Sequence, residues 1–360
     1  MRSGENPPLQ VSVRSCAWLP RDGPGGGCPQ IRGCHFRHIA ALVTAMLAAA
    51  LTACQPSPPS GPPAAGSQAK TTPASHARPP LIMVMLENES YSDAVGDASM
   101  PFFNKLWEEG KNGTGPVTIY TRMYAVTHPS LPNYVAITSG GIHGQDTDTV
   151  EAGQIHATSL WDQLTAAGIS WDVFQDAMPI ACDTQHRYED PAGTNGLYVI
   201  HHNPGVIYAR VYASIKKCLR VVPLSELRTS ALPAVSFVTP NECDNFHGVF
   251  PRTAARFGYK HCIIGTAALK RRSDSWLAAH VTAWTAAGAD VLITWDEGVE
   301  ANANSTTGGQ RIASLLTGPL VPPGHDGKRY SHYSVLAGIE NRYRLRLLGQ
   351  AVTANPIALP

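Results

Sequence analysis

Two short apolar runs end abruptly in acids, and they constrain the fold of this chain more than any other feature. Leu81-Ile82-Met83-Val84-Met85-Leu86 stops at Glu87-Asn88, and Asp290-Val291-Leu292-Ile293-Thr294-Trp295 stops at Asp296-Glu297. Ala234 to Thr239 ends in Pro240-Asn241, and Trp171-Asp172-Val173-Phe174 reads as a fourth run of the kind. Short runs that are apolar on both alternating faces are strands buried on both sides, as in parallel sheets. Helical patterns lie between them, each with a capping residue ahead and a glycine behind. They are Pro101 to Glu109 after Ser99, Leu160 to Ala167 after Ser159, and Ser275 to Ala287 after Asp274. Helix alternating with strand predicts an α/β domain, a mostly parallel sheet covered by helices.

Not all 360 residues enter that domain. Arg37 and His38 precede an apolar run, Ile39 to Leu51, that ends Leu51-Thr52-Ala53-Cys54. A basic flank, a short apolar core and small residues before a cut make residues 1–53 an export signal. The run is too short for a permanent bilayer span. Leu-Thr-Ala-Cys resembles a bacterial lipobox, which makes Cys54 a lipidated mature N-terminus and anchors the protein to the outer face of the plasma membrane. The alternative is ordinary cleavage with Cys54 unmodified and a secreted product. Residues 1–30, rich in Gly, Pro and Arg, are unusual ahead of a signal and suggest a start codon further downstream. Residues 54–80 are rich in Pro, Ser, Ala and Gly and read as a flexible tether. Residues 81–360 then form a single domain of ordinary size, expected to be a monomer.

Cysteine usage agrees with export. Cys182, Cys218, Cys243 and Cys262 lie in the domain, an even number suited to an oxidising compartment. Local closure favours Cys182–Cys218 and Cys243–Cys262; a zinc site is the weaker rival, for want of a Cys-x-x-Cys pair. A net charge of +1 provides no basic field for nucleic acid.

In parallel sheets, ligands bind at the carboxyl ends of strands. Glu87-Asn88 and Asp296-Glu297 fall there, and two such pairs can converge on one hard divalent cation of unspecified identity. Taken singly, each carboxylate is as well explained as a cap on a following helix. Ser130 stands in His128-Pro129-Ser130-Leu131-Pro132-Asn133, where the prolines make a stiff turn that presents its hydroxyl as a nucleophile. Fourteen histidines is a high count, and several cluster: His201-His202-Asn203-Pro204, Asn241 to Gly248 with His247, and Ser331-His332-Tyr333. Histidine beside asparagine or proline at a strand exit suits acid–base work or phosphate-oxygen contact.

In their order, these motifs resemble the bacterial phosphoesterases that group phospholipases C with secreted acid phosphatases, within the alkaline-phosphatase-like superfamily. The shorter mycobacterial acid phosphatases look most similar. The motifs are Glu87 to Tyr91, His128 to Tyr134, His201 to Pro204, Phe237 to His247, Asp274 to Leu277, Thr294 to Gly298 and His332 to Ser334. The resemblance implies a three-layer αβα sandwich. It implies Ser130 as a nucleophile that forms a phosphoseryl intermediate, with Glu87, Asn88, Asp296 and Glu297 holding a divalent metal. Asn133 would donate to phosphoryl oxygens. His202 and His247 would bind oxygens or protonate the leaving group, with His201 and His128 in supporting roles and His332 near the site by position. Where the family shows Asn-Asp-Met-His, this chain has Asp244-Asn245-Phe246-His247, so the carboxylate at 245 is an amide.

The reading that follows is an exported, metal-assisted hydrolase of phosphate monoesters, acting on a small phosphate ester or a phospholipid. One alternative is a phospholipase C that cleaves lipid-headgroup diesters; another is a non-catalytic surface lipoprotein that binds a ligand. A sulfatase is disfavoured, because Ser130-Leu131-Pro132-Asn133-Tyr134 lacks the arginine of a Ser-x-Pro-x-Arg run.

Overall fold

The computed structural model describes residues 78–184, 196–299 and 309–360. The export signal, Cys54 and nearly all of the tether lie outside the described residues, as do Cys16, Cys28 and Cys34. Among the described residues no helix is long and apolar enough to cross a membrane.

Eleven strands are found there: β1 (Leu81–Leu86), β2 (Val117–Tyr120), β3 (Met123–Tyr124), β4 (Trp171–Gln175), β5 (Val221–Pro223), β6 (Val235–Thr239), β7 (Asp290–Trp295), β8 (Arg311–Ile312), β9 (Ser314–Thr317), β10 (Gly324–Asp326) and β11 (Tyr330–Ser331). The helices are α1 (Tyr91–Ala94), α2 (Pro101–Lys111), α3 (Ser130–Ser139), α4 (Leu160–Ala166), α5 (Ala209–Tyr212), α6 (Ile215–Cys218), α7 (Pro251–Phe257), α8 (Ala267–Ala286) and α9 (His332–Arg342). The large sheet has the order β10-β2-β9-β7-β1-β6-β4-β5, and β11-β3-β8 form a small second sheet. The block β7-β1-β6-β4-β5 is parallel throughout, and β9 runs against its neighbours β7 and β2.

All four strands expected from the sequence are present. Every residue of β1, β6 and β7 is buried, which requires cover on both faces and makes the three-layer arrangement. Helix α2 packs on α8, while α3 packs on α9 and α4. The register sets Leu86 beside Trp295, so Glu87 and Asp296 leave adjacent strands side by side.

The helix boundaries differ in part from the sequence reading. Helix α4 fits it: Ser159 and Asp162 form a reciprocal capping box. Helix α8 begins at Ala267, capped by Thr266, so Asp274 lies inside it rather than ahead of it. The Asp274 carboxylate instead accepts from the backbone N–H groups of Phe102 and Phe103 and so caps α2 from a distance. Ser99 is not the cap there, and α2 runs through Gly110 to Lys111.

Candidate active site

Ser130 does not sit on a turn. It is the first residue of α3, with Pro129 at the N-cap. Prolines at 129 and 132 cost no helical hydrogen bond, because the first-turn N–H groups have no partner within the helix. All ten residues of α3 are buried, so the helix holds its first residue rigidly at the carboxyl ends of the central strands.

The Ser130 hydroxyl donates to Glu87 Oε2 at 3.1 Å. Tyr134, one helical turn on, donates to the other oxygen, Glu87 Oε1. Burial, then the charges of Asp296 and Glu242, push the Glu87 carboxyl well above its usual range, against the pull of the Tyr134 hydroxyl. Burial also raises the Asp296 carboxyl. The Asn88 N–H donates to Asp296 Oδ1 (3.0 Å), and His332 Nε2 donates to the Asp296 carbonyl (2.6 Å). Burial lowers the His332 pKa to about 4 and keeps the ring neutral, a fixed donor that positions Asp296.

Glu297 is occupied differently. Asn88 Nδ2 donates to its Oε1 (2.8 Å), while His128 Nδ1 (2.9 Å) and Asn133 Nδ2 (3.4 Å) approach its Oε2. Asn133 also donates to Thr127 O and Pro129 O, and its Oδ1 accepts from the N–H groups of Val126 and Thr127. In the structure the Asn133 amide is engaged by the loop that delivers Ser130.

The histidine side is built around a residue that the sequence reading passed over. Glu242 lies 3.0 Å from His202 Nδ1 and 2.8 Å from His247 Nδ1. His202 Nε2 lies 3.3 Å from Glu87 Oε2, so the two sides meet through one imidazole. Burial alone would lower the His247 pKa, but the Glu242 carboxylate raises it to about 9, and the paired imidazoles hold Glu242 well below the usual carboxylate range despite its burial. His247 Nδ1 also lies 2.8 Å from the Gly248 carbonyl, so a proton must reside on that nitrogen. His201 stands edge-on to His202, with ring centroids 4.2 Å apart, and Tyr134 stacks on His202 at 5.3 Å.

The exchange at 244 and 245 has a local explanation. Asn245 Nδ2 donates to Glu242 Oε1 (3.0 Å), and Asn245 Oδ1 accepts from the His247 N–H (2.8 Å). A carboxylate at 245 would repel Glu242. Asp244 turns away and pairs with Arg272 at 2.7 Å. Glu242 was detectable in principle, since it follows β6 as Glu87 follows β1. Pro240-Asn241 stands between it and the strand and obscures the pattern.

Asp296 Oδ2 and Asn88 Oδ1 are buried without a hydrogen-bond partner. With Glu87 they make a set of hard oxygens among like charges, which fits a divalent cation. Among the described residues, no three His, Cys, Asp or Glu groups are already arranged as a ligand set.

The Phosphoesterase family profile matches residues 115–346, and the chain belongs to that family. It is a hydrolase of phosphoric ester bonds. A phosphatidylinositol-3-phosphatase of Mycobacterium tuberculosis is 28% identical over 281 residues, 77% of this chain and 81% of the relative. An acid phosphatase of Aspergillus fumigatus is 28% identical over 280 residues, covering 75% of this chain and 56% of that protein, so the chain spans little over half of the fungal relative. Among solved structures, a protein of the alkaline phosphatase superfamily from Vibrio parahaemolyticus superposes with a TM-score of 0.47 at 12% identity, over 78% of this chain and 71% of that one. The C-terminal periplasmic domain of EcEptC from Escherichia coli, in complex with zinc, gives 0.40 at 11% identity, over 76% and 82%. The two expected disulfides, Cys182–Cys218 and Cys243–Cys262, are present and suit an exported protein.

Proposed function

We propose that this protein hydrolyses phosphate monoesters in two steps through a phosphoseryl intermediate on Ser130. The observation that carries the reading is the junction at Glu87: one carboxylate accepts from Ser130 and lies against His202, which leads through Glu242 to His247. In the first step Ser130 Oγ, oriented by its hydrogen bond to Glu87, attacks phosphorus as its proton passes to bulk water. The bond to the leaving oxygen breaks, and that oxygen takes a proton from His247, which Glu242 keeps charged at neutral pH. In the second step water attacks the phosphoseryl group. Its proton returns to His247, and Ser130 Oγ leaves phosphorus and takes up a proton from water. His202 and His201 frame the phosphoryl group, Tyr134 fixes Glu87, and Asn133 fixes the serine loop. Glu87, Asn88 and Asp296 would hold a divalent cation, with Glu297 bracing Asn88. Such an ion would neutralise phosphoryl oxygens and ease serine ionisation.

A second reading, a phosphate monoester on a lipid headgroup, rests on the similarity to the mycobacterial phosphatidylinositol-3-phosphatase and on the proposed anchor at Cys54. The test is turnover of p-nitrophenyl phosphate, a diester and phosphatidylinositol 3-phosphate by the wild type and by Ser130→Ala, with and without chelator. Chelator-sensitive monoester turnover that Ser130→Ala abolishes is expected. Wild-type turnover by the variant contradicts the proposal.

A further inference from the structure

A cavity of about 250 Å³ opens beside the histidine side of the site. Its polar side chains are Glu242, His247 and Thr253, and its apolar ones are Val249, Phe250 and Ile264. Phe250 is 65% exposed and Ile264 43% exposed, and folding alone gives no reason for two large apolar side chains to meet water at one cavity.

The backbone holds these residues firmly. Phe250 precedes Pro251, which restricts it to the extended conformation it adopts (φ −62°, ψ 150°) at the start of α7. Cys243–Cys262 ties the segment after β6 to the segment carrying Ile264, and Val249 bridges Ile263. Gly248 has φ +76°, and a Cβ there would lie 2.7 Å from Ile264 N and 2.9 Å from Cys262 O. Only glycine permits that approach, so the cavity wall is set by the fold.

We infer that this cavity is a subsite for the alcohol part of the substrate, and that it selects phosphate esters whose leaving group carries an apolar ring or chain of comparable size. The inference rests on the proposed role of His247. A group that protonates the leaving oxygen must touch it, and the carbon attached to that oxygen then lies on the His247 side, where the walls are apolar. Apolar contact there discriminates by burial, while the phosphoryl end is read by the acids and imidazoles.

The test needs no turnover, so its outcome is separable from that of Ser130. Binding of 2-naphthylmethylphosphonate and of methylphosphonate is measured by titration calorimetry on the wild type, Phe250→Ala and Thr253→Phe, with melting curves as a check on folding. The wild type is expected to bind the naphthyl probe roughly tenfold tighter than the methyl probe. Thr253→Phe, which fills the cavity, should bring that ratio close to one with methylphosphonate affinity unchanged. Phe250→Ala, a change at an exposed position, should lower it partway. Equal wild-type affinity for the two probes, or a ratio that survives both substitutions, overturns the inference. Loss of turnover in Ser130→Ala with the binding ratio intact supports both proposals, and retained turnover with the ratio intact removes only the serine mechanism.

Discussion

On the acid side of the site, Glu87, Asp296 and Glu297 bring three carboxylates to the ends of two adjacent strands, and the charges acting on Glu87 are largely of its own sign. On the histidine side, a single carboxylate, Glu242, lies between two imidazoles, and the charges are nearly balanced. Similar burial thus gives opposite results. Where like charges meet, burial and the neighbouring carboxylates together raise the Glu87 carboxyl; where opposite charges meet, Glu242 stays ionised despite its burial and His247 stays protonated. One side suits an incoming cation and the other suits the storage of a proton.

Substitutions can break this contrast. Glu242→Gln should have the largest effect. It removes the charge that raises His247, so it should lower kcat by about 10² to 10³-fold and move the alkaline limb of the pH–rate profile to lower pH. Steady-state kinetics across pH checks this, and an unchanged profile would mean that Glu242 is only structural. Asp296→Asn should lower turnover by roughly 10²-fold and yet raise the melting temperature of chelator-treated protein by about 2 °C, because one of several repelling charges is gone. Calorimetry with and without chelator reads both effects. Cys243→Ser with Cys262→Ser should cost about 3 kcal/mol in denaturant unfolding and loosen the histidine side before the acid side.

A smaller effect is expected at Glu340, far along α9 from the site's first turn. This fully buried carboxyl accepts from the Leu348 N–H, and burial raises its pKa from 4.5 to about 8. A raised carboxyl favours the protonated fold, so its stabilising contribution is complete below pH 4.5 and is lost as pH rises through about 8. Glu340→Gln should flatten stability against pH across that window. The smallest change, Ser159→Ala, removes half of a capping box and should cost about 1 kcal/mol with no change in turnover.

The acid side was far more legible in the sequence than the histidine side. Continuous apolar runs announce buried strands, and acids at their ends announce a site, so Glu87, Asn88, Asp296 and Glu297 could be placed before any coordinates. Ser130 was legible as a residue but not as a helix start, because prolines at the first helical positions resemble a turn. Glu242 was hidden because its role depends on contacts with His202, 40 residues away in sequence. Strands such as β8 and β11 have two residues each and show no periodicity to read. Asp274 resembled a local cap, whereas its partners Phe102 and Phe103 are more than 170 positions earlier.

The central claim is that Ser130 carries the phosphoryl group during turnover. The most direct test is peptide mass spectrometry on enzyme quenched in acid during hydrolysis of p-nitrophenyl phosphate. The account predicts one phosphoryl group on the peptide containing Ser130, increased in His247→Ala if loss of the imidazole slows the water step more than serine attack. An unmodified Ser130 peptide in both proteins under rapid turnover would contradict it.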